Sequence, residues 1–261
     1  MKFLSCLGSI VPLFCLAIVL PAAASQPDAL DIIRRSDELR SPDRPFRYTV
    51  TVKSFNADGS EAAYTQVLDI SMRFLKPQAG QKADARSLIR FVAPARDKGK
   101  VMLSDWYDLW FYTPELRRPV PVSRQQRLLG AISNGDVIVT NFEYAYDATL
   151  VGEEPCDAAL CYKLSLTRRS PEVTWPQVIY LVEKAGFRPW KATYLSLDGH
   201  PIKDVFYKDY RPLLGNVRPA KIVVVDAARG GSYSVMEYSD VRFESLPAFH
   251  FTREYIQRGG L

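Results

Sequence analysis

The stretch DLWFYTPELRRPVPVSRQQR, residues 108–127, decides the fold because it begins as a strand and then changes abruptly into prolines and arginines. Successive side chains of a β-strand point to opposite faces, so Leu109 and Phe111 face one way while Trp110 and Tyr112 face the other. Both faces are apolar and both must be covered. The prolines that follow cannot donate to a β-ladder, so regular pairing is expected to end there.

The same double apolarity recurs in VIYLV, residues 178–182, and in KIVVV, residues 221–225. CYKLSLT, residues 161–167, alternates cleanly instead and predicts a strand with one wet side. Much of the sheet must therefore be covered on both faces although few helices are available. A strongly curved sheet whose concave face is partly closed by helices meets this requirement. The alternative is a concavity filled completely by the chain's own helices and long loop.

The rest of the chain predicts an antiparallel meander. FRYTVTVKSF, residues 46–55, and residues 60–76 form a hairpin around the turn NADG, and ten further strand candidates follow, most of them separated by short turns. One amphipathic helix is predicted from Ala29 to Leu39, with Asp28 as its N-cap and a proline behind it. The predicted fold class is α+β, mainly antiparallel β, with a half-barrel sheet and a few helices.

The first residues predict an export signal. Lys2 supplies a positive start, Leu13 to Leu20 form a short apolar run, and residues 22–24 are small alanines suited to cleavage. We expect residues 1–24 to be removed near Ala24, and residues 25–261 to form a single exported domain in the periplasm. No later stretch approaches the roughly 20 apolar residues of a spanning helix.

The cysteines agree with an oxidising compartment. Cys6 and Cys15 leave with the signal, whereas Cys156 and Cys161 remain, separated by four residues. An even count in an exported chain predicts a disulfide across a tight loop. The alternative is two independent thiols.

Charge excludes one class of partner. The formal net charge is +5 and falls by one unit with the loss of Lys2, with both signs interspersed along the chain. This is far weaker than a nucleic-acid footprint, so no nucleic acid is expected. The arginines after the predicted strand could meet phospholipid headgroups or an acidic partner, or form an ordinary solvated face. They are Arg117, Arg118, Arg124 and Arg127.

Nothing in the sequence predicts catalysis. The motif Gly-x-Ser-x-Gly is absent, and the only histidines are His200, in the turn DGHP, and His250, between two phenylalanines. Neither shows ligand-like spacing to the cysteines, so no metal site is expected. We predict a protein that is not an enzyme and has no cofactor.

Residues 94–154 resemble the outer membrane lipoprotein-sorting protein family, exported relatives of the LolA and LolB lipoprotein carriers. The resemblance lies in the order of five pieces more than in any one of them, and LPAFHFTREYIQR near the C-terminus is similar to the family's closing segment. The pieces are the turn Asp97-x-Gly99, the strand end Leu109-Trp110-x-Tyr112-x-Pro114, a basic run, the loop Gly130 to Asp136 with Phe142 and Tyr144, and the strand end Gly152-Glu153-Glu154.

The resemblance implies a half-closed, bent antiparallel sheet with helices across its open side, holding acyl chains of a lipidated protein or another apolar ligand. Members of the wider family also look like accessory proteins of resistance-nodulation-division (RND) exporters, which is our alternative: a subunit with a self-filled cavity. We expect a monomer.

We expect cavity contacts from aromatic residues of the apolar strands, namely Phe91, Trp110, Tyr112, Tyr180 and Tyr194. A carrier must also release its ligand, so a marginally stable lid is expected in the proline-containing segment 116–141. The alternative for this segment is a variable surface loop. The apolar lid residues are Leu128, Leu129, Ile132 and Val137.

Overall fold

The computed structural model describes residues 27–75, 84–138, 140–227 and 230–259. The predicted export signal, residues 1–24, lies outside these residues. No helix among the described residues is both long enough and apolar enough to cross a membrane.

The helices and strands follow the sequence pattern closely. There are also two short 3₁₀ helices, Ala95–Asp97 and Ala248–Phe251. The helices are α1 (Ala29–Arg40), α2 (Phe142–Ala145) and α3 (Arg253–Gln257). The strands are β1 (Phe46–Phe55), β2 (Gln66–Leu75), β3 (Asp84–Ala93), β4 (Val101–Asp105), β5 (Asp108–Tyr112), β6 (Val120–Pro121), β7 (Arg127–Leu129), β8 (Ile132–Ser133), β9 (Tyr146–Cys156), β10 (Ala159–Arg168), β11 (Gln177–Glu183), β12 (Pro189–Leu195), β13 (Pro201–Leu213), β14 (Asn216–Asp226) and β15 (Tyr233–Phe243).

Thirteen of the described strands form one antiparallel sheet in the order β6-β5-β4-β3-β2-β1-β15-β14-β13-β12-β11-β10-β9. It consists of two meanders, β1–β6 and β9–β15, joined where the first strand pairs with the last. β6 and β9 remain as opposite edges, so the sheet is not closed into a barrel. The predicted fold class, mainly antiparallel with few helices, is confirmed.

Helix α1 lies across the concave face of this sheet. It begins at Ala29 as predicted and ends at Arg40, one residue later than expected; Asp28 occupies the N-cap position but makes no side-chain capping bond. Ile32 and Ile33 are fully buried in the main core, which collects residues from both meanders. The amphipathic pattern therefore located the helix to within one residue.

The two faces of the sheet are covered differently. On the convex face, Phe251 and Ile256 of the C-terminal segment pack on Leu88, Val101 and Leu103 of β3 and β4. A second convex cluster lies at the other end of the sheet, around Leu181 and the disulfide. Double apolarity in β5 thus reflects a concave core on one side and the C-terminal segment on the other.

The predicted disulfide is present. Cys156 and Cys161 are bonded to each other across the β9–β10 hairpin, where Cys156 pairs with Ala159 in the ladder. In β10 the predicted alternation also holds, since Tyr162, Leu164 and Leu166 are buried while the intervening residues are more exposed. Local periodicity is reliable here because one face of the strand meets water.

Candidate functional site

The segment between β6 and α2, residues 122–141 and here called the lid, crosses the concave face from one sheet edge to the other. Its centre is the small β7–β8 ribbon. Leu129, Ile132 and Val137 are buried within the main core, and Leu128 packs against it in a partly buried position. The lid therefore fills the concavity in this structure instead of lying on the surface as a loop.

Gly130 seats the tip of the ribbon against the middle of the sheet. Its φ is +56°, and a Cβ added there would lie closer than 3.0 Å to the side chains of Ser54 on β1 and Ser234 on β15. The neighbouring Ala131 N–H donates to the Ser234 hydroxyl at 2.9 Å. A residue without Cβ is required here both for the left-handed conformation and for the close approach.

A buried ion pair holds the second half of the lid. Lys203 on β13 pairs with Asp136 of the lid, and their side chains are only 5% and 8% exposed. The Lys203 ammonium lies 4.3 Å from the ring centre of Trp175, and the Asp136 carboxylate also accepts from the Ser133 N–H and hydroxyl at 2.7 and 2.8 Å. Loss of either partner would destabilise the protein, because the other would remain as an uncompensated buried charge.

Helix α1 contributes a second buried pair, Arg40 with Asp37, at 2.7 Å. Arg40 also donates to the carbonyl of Thr140 in the lid at 3.0 Å and lies 3.9 Å from the ring centre of Phe142. Asp37 accepts the N–H of Glu143 at 2.8 Å and so orders the start of α2. Burial raises the pKa of Asp37 to about 6, although the Arg40 charge opposes that rise.

Between the lid, α1 and the sheet remains an apolar cavity with a free volume of about 100 Å³. Its walls include Phe46, Tyr48, Tyr194, Tyr207 and Val224. This volume is well below the roughly 300–1,000 Å³ of typical ligand pockets. The space present is a remnant left after the lid has occupied most of the concavity.

Cationic groups interrupt the apolar wall of this cavity at three places. Arg40, Arg124 and Arg218 all line it. Arg218 donates to the carbonyls of Glu38 and Leu213 at 2.5 and 3.2 Å. Arg40 has a carboxylate partner, whereas Arg124 and Arg218 are hydrogen-bonded to neutral oxygens.

This arrangement can be compared with known proteins. A LolA superfamily protein from Nitrosomonas europaea is similar in structure, with a TM-score of 0.78 and 30% sequence identity over 88% of this chain and 100% of that one. The chain belongs to the LolA superfamily. A family model described as "-like: Uncharacterized protein" matches residues 83–258.

More distant members of the same fold give similar structures. A DUF1329 family protein from Desulfovibrio piger has a TM-score of 0.72 at 22% identity, covering 87% of this chain and 97% of its own. A domain from Vibrio parahaemolyticus, named for outer membrane lipoprotein sorting, has the same TM-score at 18% identity, covering 88% and 98%. At these identities the similarity shows the LolA-like fold alone. No curated protein sequence matches the chain significantly.

The LolA-like sheet brings only some of the predicted cavity residues together. Phe91, Tyr180 and Tyr194 lie in the concave core, and Tyr194 lines the cavity. Trp110 and Tyr112 lie on the convex face, where they pack against the cluster that contains the C-terminal segment. Their assignment to the cavity is corrected by this placement, because alternation identifies opposite faces without saying which one is concave.

The four predicted headgroup arginines also separate. Arg117, Arg118 and Arg127 are exposed, whereas Arg124 is buried, with 8% of its surface exposed. A charge run therefore mixes three solvated side chains with one that enters the protein. The distinction depends on Arg124 reaching Ser104, twenty residues earlier in the chain.

The buried pairs Asp37–Arg40 and Asp136–Lys203 were not foreseen from the sequence. One signal was available, since Asp37 follows Ile33 by four residues and so lies on the buried side of the amphipathic helix. A charged residue on such a stripe indicates a buried partner. No comparable local signal marks Lys203, whose partner lies 67 residues away.

The two histidines lie at separate places on the protein and have different neighbours. His200 is exposed and lies 3.2 Å from Asp198, and His250 stacks on Phe249 with ring centres 4.1 Å apart. No group of three His, Cys, Asp or Glu side chains within the described part of the chain could hold a metal ion.

Proposed function

We propose that this protein is a periplasmic carrier that shields the acyl chains of a lipidated protein or a lipid in its concave face. The observation that carries the proposal is an apolar concavity occupied by a lid that polar groups hold at its margins. Membership of the LolA superfamily and the Vibrio domain named for lipoprotein sorting support the same function. The protein works without catalysis, metal or cofactor, and as a monomer.

The energetics of loading follow from what the lid occupies. Each buried methylene is worth about 0.8 kcal/mol, so an acyl chain gains in the concavity what it loses on leaving a membrane. Since the free volume is only about 100 Å³, the chain must displace the apolar lid side chains Leu129, Ile132 and Val137. Exchange of one apolar filler for another keeps the free-energy difference small, which allows both loading and release.

Within this proposal, each group of predicted residues has a role. Phe91, Tyr180 and Tyr194 contact the ligand from the sheet. The apolar lid residues Leu128, Leu129, Ile132 and Val137 cover it. Arg117, Arg118 and Arg127 lie on the solvent side, where they can meet headgroups or an acidic face of a partner.

A second candidate function is favoured by the same small cavity. A non-enzymatic accessory subunit of an RND-type exporter would keep its concavity permanently filled by its own lid. The two candidates differ in whether the lid exchanges with an apolar ligand.

The deciding experiment measures binding of a fluorescent fatty acid to the purified protein and to two glycine variants. Gly130→Ala forces the ribbon off Ser54 and Ser234 and costs the closed lid about 1–3 kcal/mol. Because the ligand competes with the closed lid, its apparent affinity is expected to rise about tenfold. Thermal unfolding should show a modest loss of stability.

Gly59→Ala is the matched control. Gly59 also has positive φ, +83°, but nothing lies within 4 Å of an added Cβ. It should lose stability through backbone strain and bind the fatty acid as the wild type does. Absence of binding by every form, together with native mass spectra free of co-purified lipid, would instead favour the accessory subunit.

A further inference from the structure

Arg124 is a buried cation without a carboxylate partner. Its Nη2 donates to the Ser104 hydroxyl at 2.5 Å and to the carbonyl of Trp106. Its Nε is buried and has no hydrogen-bond partner. Among the residues that the structure describes, no carboxylate forms an ion pair with Arg124, and Asp108, the nearest acidic influence, is exposed on β5.

Such an arrangement is costly for the protein alone. A buried charge is normally paired, because removal of its hydration shell must be offset by an opposite charge or by a full set of hydrogen bonds. Burial lowers the pKa of Arg124 to about 10, although Tyr107, Asp108 and Tyr146 oppose that fall. At neutral pH the guanidinium is still protonated, so the site holds an uncompensated positive charge.

The position of Arg124 suggests where its counter-ion would come from. Arg124 and Tyr107 line the apolar cavity, a smaller adjoining cavity of about 40 Å³, and a more open outer groove of about 380 Å³. They therefore stand at the junction between the apolar interior and the polar outer groove. A ligand with a charged end would place that end here when its apolar part enters the cavity.

Arg124 itself belongs to the lid, and other lid residues hold its backbone in place. The Gly135 N–H donates to the Arg124 carbonyl at 2.8 Å, and the Asn134 side chain donates to the carbonyl of Ser123 at 3.1 Å. These bonds fix the backbone of Arg124, while its guanidinium is held by Ser104 and Trp106 at the β4–β5 hairpin. Because this anchor lies outside the lid, displacement of the apolar lid side chains by an acyl chain would leave the guanidinium beside the newly opened space.

We propose that Arg124 is the headgroup site of the carrier and selects amphiphiles whose polar end is an anion, a carboxylate or a phosphate. This inference rests on the proposed function, since it names the chemistry of the ligand that occupies the same cavity. The free Nε–H of the guanidinium can donate to an oxygen of either anion, and the opposite charges strengthen that bond. An amphiphile of equal chain length with a neutral headgroup would leave the charge of Arg124 uncompensated.

The test compares three ligands of the same chain length on the wild-type protein by calorimetry: dodecanoate, dodecanoyl lysophosphatidic acid and dodecanol. One or both anions are expected to bind at least about tenfold more tightly than the alcohol, as a charged hydrogen bond of about 1.5–3 kcal/mol predicts. The stronger of the two anions identifies the source, a fatty acid or a phospholipid-like phosphate. This comparison needs no variant.

Variants then assign the preference to Arg124. Arg124→Met should bring anion binding down to the level of the alcohol and leave alcohol binding within about twofold, while Arg124→Lys should retain part of the preference. Arg258→Met is the control, because it removes an exposed positive charge that lines none of these three spaces and should change none of the three affinities.

The outcomes separate the two proposals. Equal binding of all three ligands to the wild type, or an anion preference that survives in Arg124→Met, would overturn the headgroup site and leave the carrier intact. Failure of every ligand to bind would overturn the carrier itself and the headgroup site with it.

Discussion

The lid and the C-terminal segment cover opposite faces of the same sheet, and different forces hold them. The convex cover depends mainly on apolar packing of Phe251 and Ile256. The lid combines apolar contacts with buried polar attachments, among them the ion pair Asp136–Lys203 and the bond from the Ala131 N–H to Ser234. Separation of apolar surfaces costs free energy in proportion to the area exposed to water. A polar contact that breaks can instead be replaced by a hydrogen bond to water or to another polar group. Under the proposed carrier function, the convex cover is permanent and the lid is the cover that exchanges with a ligand.

The largest expected effect comes from removal of one charge under the lid. Lys203→Met leaves the Asp136 carboxylate buried without its partner and should cost about 3–5 kcal/mol. Chemical denaturation followed by circular dichroism measures the loss. Adding Asp136→Leu to the same chain should recover most of it, because the unpaired charge is then gone. If the double variant is no more stable than Lys203→Met alone, the ion pair is not what holds the lid.

Removal of packing from the convex cover should have a comparable or slightly smaller effect on stability and none on ligand exchange. Ile256 is fully buried, so Ile256→Ala is expected to cost about 2–5 kcal/mol in unfolding free energy. Fatty-acid affinity should stay within about twofold of the wild type, unlike that of the lid variants. A large change in affinity would show that the two covers are coupled through the strands and would remove the contrast between them.

The smallest of these effects is the pH dependence of the Arg40 attachment. The pKa of Asp37 is raised from 3.8 to about 6 in the folded protein. Because the folded pKa lies above the unfolded one, this group's contribution to stability is present at acid pH and is lost as the pH rises through about 6.

Asp37→Asn removes this titration. The difference in unfolding free energy between the wild type and the variant should shift by about 2 kcal/mol in favour of the wild type from pH 7 to pH 4. Denaturation curves at several pH values measure it. A difference that does not vary with pH would mean that Asp37 stays ionised throughout, held by Arg40.

Local patterns were sufficient for most of the fold. The strand FRYTVTVKSF was found at the same residues, 46–55, and the disulfide and the first helix were also placed correctly. Each rests on a periodicity or a spacing that short-range geometry imposes. Strands that are apolar on both faces suggested a curved sheet, and the family resemblance implied the same curvature.

The site was harder to predict because its decisive contacts are distant in the sequence. Leu109 and Trp110 look equally apolar, but Leu109 enters the main core while Trp110 packs against the cluster that contains the C-terminal segment. Arg124 and Arg127 belong to one charge run, yet only Arg124 meets Ser104 and Trp106 in the β4–β5 turn. Such pairings depend on the finished topology of the chain.

That topology gives the lid a mechanical role as well. Since β6 and β9 are the two edges of a thirteen-stranded sheet, the lid and α2 form the covalent tie between edges that would stand roughly 60 Å apart if the sheet were flat. The connecting residues 122–145 could extend to roughly 80 Å at most, and the ribbon and helix shorten them. The length of this connection limits how far the edges can separate. In the proposed carrier, the length of the lid would therefore set the maximum width of the ligand that the sheet can enclose.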